Sequence, residues 1–446
     1  MKRPAPRPRR CLPAFVLLAL ASLISTGARA DAINGTWVML TPEGTPPSSR
    51  YHFAAIYDPI RERLIVDGGA PFECLETWAL SLSGATSWAR LYESSHRSLH
   101  SAIYDAPRDR MLLHAWQDCQ DPGIDNYVLT LDLAGAAGWS VVGTSGTLPA
   151  SRLRHTMVYD PLRDRMLIFG GQLGGTGSFT NEVWELSLSG TPTWSPLVVS
   201  GTPPAPRRYH TAIYDPVRDV MLVFGGWTTG TVFMNDVWQL TLGPTPAWSL
   251  VAAAGTPPGA RYGHSAIYDS ERDRMVVFGG ASPGVLNEAW ALSLGGTPTW
   301  SALAPAGTAP LARYAHRAVY DAPRDRMVVF GGYSSSYLND VWTLDWSAAA
   351  DVDPPTPGLA LRAGPSPARG DVAVEISLPR AGAASVRVYD IHGRLVRTLF
   401  DGGSATGERL TWNRATDRGD RVAAGIYLVR LSFAGSQLTR RLVLAD

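Results

Sequence analysis

Lysine is almost absent from this sequence of 446 residues: Lys2 is its only lysine, and only three cysteines occur, Cys11, Cys74 and Cys119. Lys2 lies in a segment that we expect to be removed, so the mature chain offers no lysine for Schiff-base chemistry. The sequence also lacks a glycine-rich phosphate loop, a zinc-binding cysteine and histidine spacing, and the Gly-x-Ser-x-Gly turn of hydrolases. Several large classes of enzyme are therefore unsupported by any motif.

The first 30 residues have the layout of a secretory signal peptide. Five basic residues precede an apolar run from Leu12 to Ile24, and 28–30 offer a small-residue cleavage site. We expect cleavage after Ala30 and no membrane span in the mature chain; the alternative is a retained membrane anchor. Cys74 and Cys119 would then enter an oxidising compartment, where a disulfide between them is the default expectation.

The charge of the mature chain favours neither nucleic acid nor an anionic membrane surface as a partner. Removing residues 1–30 takes away six of the 40 basic residues and no acidic residue. The remainder has 34 basic and 39 acidic residues, a net charge of −5. Such a balance provides no basic surface of the kind that binds phosphate backbones, so we predict no nucleic-acid partner.

A repeated pattern fills the chain from residue 50 to residue 342. An arginine, a histidine or phenylalanine three residues later, a Tyr-Asp pair, a charged turn, Phe-Gly-Gly and two tryptophans recur in nearly the same order. The tyrosines of the Tyr-Asp pairs are spaced by 47, 55, 55, 54 and 52 residues and are Tyr57, Tyr104, Tyr159, Tyr214, Tyr268 and Tyr320. A period of that length indicates copies of one supersecondary unit that pack on each other.

Each unit predicts four short strands. In the fourth copy, residues 210–214 and 221–224 are short strand-like runs separated by a turn at 215–219. A glycine pair ends the second run, and two more strands follow at 237–242 and 248–251. Tryptophans ten residues apart in the last two strands are predicted to pack between neighbouring units, because large apolar rings fill such spaces well.

The combination of Arg-x-x-His, Phe-Gly-Gly and a late tryptophan resembles the kelch repeat over roughly residues 35–346. The resemblance implies a β-propeller, in which four-stranded blades surround a central channel. The copper radical oxidases related to galactose oxidase share this propeller, but they need a thioether-linked Cys-Tyr pair, two histidines and a second tyrosine. Here every Tyr-Asp pair and histidine of that pattern belongs to the repeat, so we predict no metal and no cofactor.

The repeat count predicts six blades closed by the N-terminal segment. The last repeat ends near Leu344 without a fourth strand, whereas a spare strand at 35–40 precedes the first repeat. If that strand completes the last blade, the ring has no open sheet edge. We therefore predict an all-β chain with a six-bladed kelch-type β-propeller over residues 31–350.

A different module follows the repeats. Residues 351–364 are predicted to be a proline-rich linker, and 365–446 contain six or seven short strands that predict a small β-sandwich. Tyr389-Asp390, Trp412 and Ile426-Tyr427 lie in motifs that resemble the immunoglobulin-like domain of flagellar hook-capping proteins and the C-terminal sorting domains of type IX secretion cargo. The resemblance implies outer-membrane secretion machinery as a partner and a place outside the cell. The alternative is an accessory sandwich that acts as a spacer.

The arginines of the repeat are the first candidate binding residues. One opens each unit, at Arg50, Arg97, Arg152, Arg207, Arg261 and Arg313. Six guanidinium groups around one mouth of the channel could bind an anionic ligand such as an acidic sugar. The alternative, which we favour, is that they satisfy loop carbonyls and groups of the neighbouring blade.

Departures from the pattern mark a second candidate site in blades 1 and 2. Asp67 and His114 replace the phenylalanine before the glycine pair, and Trp116 and Asp118 follow on the loop side. An acid, an imidazole and an indole together could bind a sugar by stacking and hydrogen bonding. The alternative, which we favour, is that these blades have drifted and a disulfide joins their loops. Exposed aromatic residues predicted on the other loops are Trp227, Phe233 and Tyr333.

The sequence as a whole favours a binding function over catalysis. We predict a secreted or cell-surface propeller that binds a glycan or a protein partner through its loop face, with no catalytic residue assigned. One alternative is an extracytoplasmic carbohydrate-active enzyme, such as a sugar epimerase or oxidase on the same scaffold. Another is a purely structural surface protein, and the sequence alone leaves the enzyme question open.

Overall fold

In the computed structural model of the protein, the described residues are 33–71, 76–93, 100–117, 125–135, 138–174, 176–347, 360–364, 368, 370–390, 395–404, 406–423, 425–433 and 436–444. The predicted signal peptide and most of the predicted linker lie outside these ranges. The described chain is β-structure with two short helical turns, Ala106–Arg108 and Ala322–Arg324. It contains no helix that is long and apolar enough to cross a membrane.

The chain begins with β1 (Thr36–Leu40) and continues into two four-stranded antiparallel sheets, blades 1 and 2. Within each blade the strands follow one another in chain order. The strands of these two blades are β2 (Ala54–Asp58), β3 (Arg63–Asp67), β4 (Glu76–Ser81), β5 (Ser87–Glu93), β6 (Ser101–Asp105), β7 (Arg110–Gln117), β8 (Asp125–Asp132) and β9 (Trp139–Val141).

Blades 3 to 5 repeat the four-stranded plan and add a two-residue strand in parallel at the outer edge. Blade 3 and a small pair beside it comprise β10 (Ser145–Gly146), β11 (Arg152–Leu153), β12 (Thr156–Asp160), β13 (Arg165–Phe169), β14 (Gln172–Leu173), β15 (Val183–Ser187) and β16 (Thr193–Pro196). Blade 4 comprises β17 (Ser200–Gly201), β18 (Thr211–Asp215), β19 (Val220–Trp227), β20 (Phe233–Thr241) and β21 (Ala247–Leu250). Blade 5 and its small pair comprise β22 (Ala254–Gly255), β23 (Ser265–Asp269), β24 (Arg274–Phe278), β25 (Ala281–Ser282), β26 (Gly284–Val285), β27 (Ala289–Ser293) and β28 (Thr299–Leu303).

The N-terminal strand completes the last sheet, blade 6. That sheet contains β29 (Ala306–Gly307), β30 (Arg317–Asp321), β31 (Arg326–Tyr333), β32 (Tyr337–Asp345) and β1. β1 pairs antiparallel with β32 over five residues, from Thr36 opposite Asp345 to Leu40 opposite Val341. The first strands of the blades contact each other in cyclic order, β2, β6, β12, β18, β23, β30 and back to β2. The segment that precedes the repeats therefore closes the ring, as the sequence predicts.

The core lies between the blades. In four of the six blades, a tryptophan of the outer strand packs against a phenylalanine of the preceding blade. The ring centroids of Trp248 and Phe169 are 5.0 Å apart, and those of Trp37 and Phe278 are 4.8 Å apart. Trp37, although it precedes all the repeats, occupies the same position as the repeated tryptophans. The predicted role of these tryptophans in packing between blades is thus confirmed.

The glycine pair of each repeat lets neighbouring blades approach closely. Gly170 has a φ of 65°, and a Cβ at this position would lie 2.9 Å from the carbonyl oxygen of Arg207 and from the His210 ring. Both of those residues belong to the next blade. A larger residue would therefore combine an unfavourable backbone conformation with a steric clash across the junction.

Ion pairs join the blades at the end of the ring where the first and second strands turn. Arg163 donates to Asp160 of its own turn at 3.0 Å and to Asp219 of the next blade at 2.6 Å. The pairs that join successive blades around this end are Arg61–Asp109, Arg108–Asp164, Arg163–Asp219, Arg218–Asp273, Arg272–Asp325 and Arg324–Glu62. The charged turn of the repeat is thus a salt-bridged turn that joins neighbouring blades.

The C-terminal residues form two further sheets around one core. The strands are β33 (Ala360–Gly364), β34 (Val372–Ser377), β35 (Gly382–Asp390), β36 (Leu395–Ser404), β37 (Gly407–Trp412), β38 (Gly425–Phe433) and β39 (Ser436–Leu444). One sheet has the order β33-β34-β37 and the other β36-β35-β38-β39. Their inner faces share a cluster that includes the buried Trp412, so this part is the predicted small β-sandwich.

Candidate binding face

The arginine that opens each repeat is a buried anchor within its own blade. The side chains of the five in the described ranges are fully buried: Arg50, Arg152, Arg207, Arg261 and Arg313. In blade 4, Arg207 donates to the Gly225 carbonyl at 2.9 Å and to both carboxylate oxygens of Asp236 at 2.7 and 2.8 Å. Burial raises the pKa of Asp236, but the hydrogen bonds and charge of Arg207, together with the hydrogen bond from Trp238, hold that pKa below its ordinary value. Such contacts favour the structural role over the binding role.

The histidines three residues later link each blade to the one before it. Nε2 of His210 lies 2.9 Å from the Thr156 hydroxyl, and Nε2 of His264 lies 2.9 Å from the Thr211 hydroxyl. Burial lowers the pKa of His264 to about 3, so its imidazole is neutral at ordinary pH. In blade 1 the equivalent residue is Phe53, which cannot make this bond. The junction between blades 6 and 1 therefore lacks the link that a hydroxyl and a histidine make at the three junctions from blade 3 to blade 6.

Asp67 and His114 lie in the packing between blades. Asp67 is fully buried and accepts a hydrogen bond from the Thr77 hydroxyl at 2.6 Å. His114 is 1% exposed; its Nε2 lies 2.8 Å from the Asn126 amide oxygen, and its ring packs on Trp194 at 5.6 Å, where other blades place phenylalanine. Because both side chains are buried, neither reaches a sugar on the loop face. The contacts favour the alternative prediction, divergence of the packing in blades 1 and 2.

The other members of that candidate site are outside what the structure describes. The backbone of Trp116 lies in β7, but its side chain is outside the described residues, and so are Asp118, Arg97, Cys74 and Cys119. Sugar binding by Trp116 and Asp118, anion binding by Arg97 and the disulfide therefore stay predictions.

The residue before each histidine forms a ring at the mouth of the channel on the loop side. His52, Arg154, Tyr209 and Ala315 have φ values of 58°, 59°, 56° and 54°, and Gly263 occupies the fifth described position. The Tyr209 amide donates to the Arg154 carbonyl at 3.1 Å, and the Gly263 amide donates to the Tyr209 carbonyl at 2.9 Å. Ala315 donates to Gly263 at 2.7 Å, and His52 donates to Ala315 at 3.0 Å. These bonds between blades hold a left-handed backbone that such residues rarely adopt alone.

Aromatic side chains cover this mouth and the loops beside it. The set, called the aromatic face below, comprises Tyr51, Tyr209, Trp227, Phe233, Tyr262, Tyr314, Tyr333 and Tyr337. Tyr262 is central: its ring lies 5.2 Å from Trp227, 4.9 Å from Phe233 and 6.0 Å from Tyr314. Tyr337 is exposed, and the other seven are half-buried. The face runs without a break from blade 4 through blades 5 and 6 to blade 1.

Sequence reasoning found three members of this face, Trp227, Phe233 and Tyr333. The structure places all three in the face, but half-buried rather than exposed as predicted, because each packs on neighbouring rings. Sequence reasoning missed the tyrosines between the repeated arginine and histidine, such as Tyr262 and Tyr314. A signal for them existed. The arginine and histidine recur from blade to blade, whereas the two residues between them vary, and variable positions within a fixed frame are candidates for contact with a ligand.

Arginines beside the aromatic face have no carboxylate partner among the described ion pairs. Arg208 stacks on Trp227, with 4.4 Å from the guanidinium carbon to the ring centroid, and Arg154 lies 4.9 Å from the centre of the Tyr209 ring. Both donate to the amide oxygen of Gln172. Burial lowers the pKa of Arg208, with the charge of Arg154 adding to the effect. The mouth therefore combines aromatic rings with positive charge that the described carboxylates do not neutralise.

Comparison with known families identifies both parts of the chain. Residues 121–294 match the attractin/LZTR1 β-propeller, and residues 244–375 match the KLHDC2/KLHL20/DRC7 kelch-repeats domain. Residues 364–445 match a secretion system C-terminal sorting domain. The matches fall on the blades and on the sandwich respectively.

Curated relatives share the repeats over part of their length. The chain is 29% identical to acyl-CoA-binding domain-containing protein 5 of Arabidopsis thaliana over 329 residues, which cover 70% of this chain and 48% of that protein. It is 30% identical to host cell factor 2 of Homo sapiens over 214 residues, which cover 44% of this chain and 26% of that protein. The chain thus spans about half the length of the plant relative and about a quarter of the human one.

Solved structures share the fold. A structure of YjhT is 13% identical, with a TM-score of 0.51 over 66% of this chain and 94% of that one. A fungal alcohol oxidase of the AA5 family, in complex with copper, is 13% identical, with a TM-score of 0.54 over 93% of this chain and 100% of that one. At these identities the likeness shows the fold alone. Repeats, sheets and family matches agree: the protein is a kelch-type β-propeller followed by a type IX secretion sorting domain, which indicates export to the cell surface or beyond it.

Proposed function

We propose that the exported propeller binds a glycan through the aromatic face. The single observation that carries this proposal is the unbroken set of eight aromatic rings around the channel mouth, flanked by arginines without carboxylate partners in the described ion pairs. Sugar rings stack on aromatic rings through their C–H faces, while tyrosine hydroxyls and arginine N–H groups bond to the sugar hydroxyls. The sorting domain would serve as the address that engages the outer-membrane secretion machinery.

A glycan suits this face better than a second protein for a physical reason. The rings are half-buried and contact one another, so they form a shallow, preorganised floor whose side chains lose little conformational entropy on binding. Tyr314 illustrates the packing, since burial and the neighbouring tyrosines raise its pKa to about 12.

The test is a glycan array probed with the purified full-length protein and two variants. Tyr262→Ala removes the central ring of the aromatic face, and we expect it to weaken binding at least about tenfold, as for a buried aromatic contact. Tyr92→Ala is the matched control, because Tyr92 is 38% exposed but lies on β5 in the outer part of blade 1. Glycan binding that survives Tyr262→Ala would contradict the proposal. Binding to no glycan on the array would also contradict it, and turnover of a bound sugar would reassign the protein as an enzyme.

A further inference from the structure

Below the ring at the mouth, the central channel contains a cavity of about 160 Å³. Its walls are formed by the start of the first strands and by the ring residues above them. Two of the lining side chains are arginines, Arg154 of blade 3 and Arg317 of blade 6, which stand on opposite sides of the ring. No aspartate or glutamate is among the described residues that line this cavity.

Arg317 stands where the repeat calls for a small residue. The equivalent positions in the other blades, each one residue after the histidine or Phe53, are Ala54, Ser101, Thr156, Thr211 and Ser265. In blades 3 to 5 the hydroxyl at this position lies within 2.9 Å of a histidine of the next blade. Blade 6 is followed by Phe53, which offers no such partner. An arginine at this position therefore does not serve the link that the smaller residues make.

The charge of Arg317 is left without a neutralising partner in the described part of the chain. Its Nη1 donates to the backbone carbonyl of His316 at 3.4 Å, and none of the described ion pairs includes it. Burial lowers its pKa to about 10, so it remains a cation at neutral pH. Arg317 is half-buried in the channel wall, so its charge faces the cavity and is available to an anion from outside the chain.

The pKa of His52 responds to the charges of the same two arginines. Burial, the charge of Arg317 and the charge of Arg154, in that order, lower the pKa of His52 well below its ordinary value. His52 is in the ring at the mouth, and its Nε2 lies 3.3 Å from the hydroxyl of Tyr209 on the opposite side. Both arginines therefore act on a residue directly over the cavity, and the His52–Tyr209 pair bridges its entrance.

We propose that the cavity seats an oxyanion, a carboxylate or sulfate group, between the guanidinium groups of Arg317 and Arg154, and that a glycan on the aromatic face carries this group. The second half rests on the proposed function. Guanidinium forks match the geometry of carboxylate and sulfate oxygens, and both bonds are strong when water is excluded. A cavity of about 150 Å³ holds a molecule of the size of benzene, so one anionic substituent fits with part of its sugar ring.

The His52–Tyr209 pair would have to part, or rotate with the ligand, when the group enters from the aromatic face. The pair is held by a 3.3 Å contact and by ring stacking at 5.2 Å, both of which are weak enough to exchange for contacts with a ligand. Entry at this point would also explain why Tyr209 belongs both to the aromatic face and to the wall of the cavity.

The first experiment places the anion directly. Crystals of the full chain are soaked in selenate, an isostere of sulfate whose anomalous scattering marks its position. We expect a peak in the channel at about 3 Å from the guanidinium nitrogens of Arg317. Arg317→Ser, which restores the residue type of blades 2 and 5, should abolish the peak. Arg90→Ser is the control, because Arg90 is a half-exposed arginine on the outer strand β5. A wild-type map without a peak in the channel would overturn the proposal.

The second experiment separates a glycan-borne anion from a free one. Binding of oligogalacturonate is compared with binding of its neutral methyl ester, which removes the charge and adds one methyl group to each carboxylate. We expect the acidic form to bind about tenfold more tightly, the gain from a hydrogen-bonded charge pair, and Arg317→Ser to remove the difference. Tyr262→Ala should weaken both forms.

The outcomes distinguish this inference from the function on which it rests. If both sugars bind equally and depend on Tyr262, glycan binding stands and the channel anion is overturned. If selenate binds through Arg317 while neither sugar binds, the site accepts a free anion. The assignment of that anion to a glycan is then overturned, and so is the proposal that the aromatic face binds these sugars. If Arg317→Ser leaves both the selenate peak and the preference for the acidic sugar intact, Arg317 is not the anion's ligand and the proposal fails.

Discussion

Arg324 of blade 6 donates to the carboxylate of Glu62 in blade 1, and this ion pair completes a series that passes once around the propeller. Arg324 also bonds to Asp321 in its own turn, so each junction couples a local turn to its neighbour. The ion pairs close the ring by contacts outside the apolar core. The pairing of β1 with β32 is a second closure. The two closures can be tested separately.

The ion pairs should contribute measurably because they are partly shielded from water. Arg163 and Asp219 have side chains that are 29% and 26% exposed, and Arg163 also holds the buried Asp160. We expect Arg163→Ala to lower the free energy of unfolding by about 1–2 kcal/mol, between the values for exposed and buried pairs. Denaturant unfolding measures this loss. Arg90→Ala, which removes a half-exposed arginine from the pairs with Glu76 and Glu93, should cost less, and an equal cost would contradict the assignment.

Closure by the N-terminal strand should depend on one side chain. Trp37 is 4% exposed and packs on Phe278, whereas Met39 lies in the same strand and is 54% exposed. We expect Trp37→Ala to destabilise the propeller by about 3–5 kcal/mol, the usual cost of removing a large buried ring. Met39→Ala should change the free energy of unfolding by less than about 0.5 kcal/mol. A Trp37→Ala protein with wild-type unfolding would show that β1 is not needed for closure.

The buried histidines predict a loss of stability in mild acid. Burial lowers the pKa of His264 to about 3 and that of His114 to about 4, both below the ordinary value near 6.5. A histidine whose folded pKa is lowered takes up its proton first in the unfolded chain, so stability is full above about pH 6.5 and falls as the pH drops towards the folded pKa. Each such histidine should contribute up to about 1.4 kcal/mol per pH unit in that window.

The measurement is the free energy of unfolding at pH 7.5, 6 and 5. His264→Gln keeps a polar partner for Thr211 but removes one titrating group, so its slope between pH 6 and pH 5 should be lower by about one proton. The carboxylates of the turn-side ion pairs add a separate effect below about pH 4, because hydrogen bonds from arginines lower the pKa of Asp164 and Asp219. A slope that is unchanged in His264→Gln would show that this imidazole is not buried in the neutral form.

How far the sequence predicts this structure depends on whether a residue repeats. The tryptophans, the glycine pair and the charged turn recur because every junction needs the same packing, so a single sequence reveals their roles. Asp67 and His114 break the pattern. The sequence alone does not show whether such a break marks a binding site or altered packing between blades. Only the contacts with Thr77 and Trp194 distinguish the two.

The residues of the mouth could not be recognised from the repeat alone. Tyr262 and Tyr314 are far apart in sequence, and their meeting depends on the left-handed ring that brings successive blades together at the axis. Arg317 is a single change at a position that is otherwise Ser, Thr or Ala, and its meaning depends on Phe53, some 264 residues earlier. The relationship between Arg317 and Phe53 becomes evident only because closure of the ring places blade 6 beside blade 1.

The junction between blades 6 and 1 therefore allows a direct test of whether Arg317 and Phe53 together replace the usual bond between a hydroxyl and a histidine. Phe53 is fully buried and packs edge to face on Phe330 at 5.4 Å, which is close to the 5.0 Å contact between His210 and Phe169 in an ordinary junction. A histidine at residue 53 should thus fit the same space. Combined with Arg317→Ser, the substitution Phe53→His should recreate the serine–histidine bond that Ser265 makes at 2.8 Å.

The double-mutant cycle measures that bond. We expect Phe53→His alone to destabilise, because its imidazole would be buried beside the Arg317 cation, and Arg317→Ser to relieve the repulsion. The two changes should therefore couple favourably by about 1–2 kcal/mol in the free energy of unfolding, and the double variant should bind no selenate in the channel. Additive effects would mean that Arg317 and residue 53 do not meet across the junction, and the ordinary link would then have been lost for a reason unrelated to the anion site.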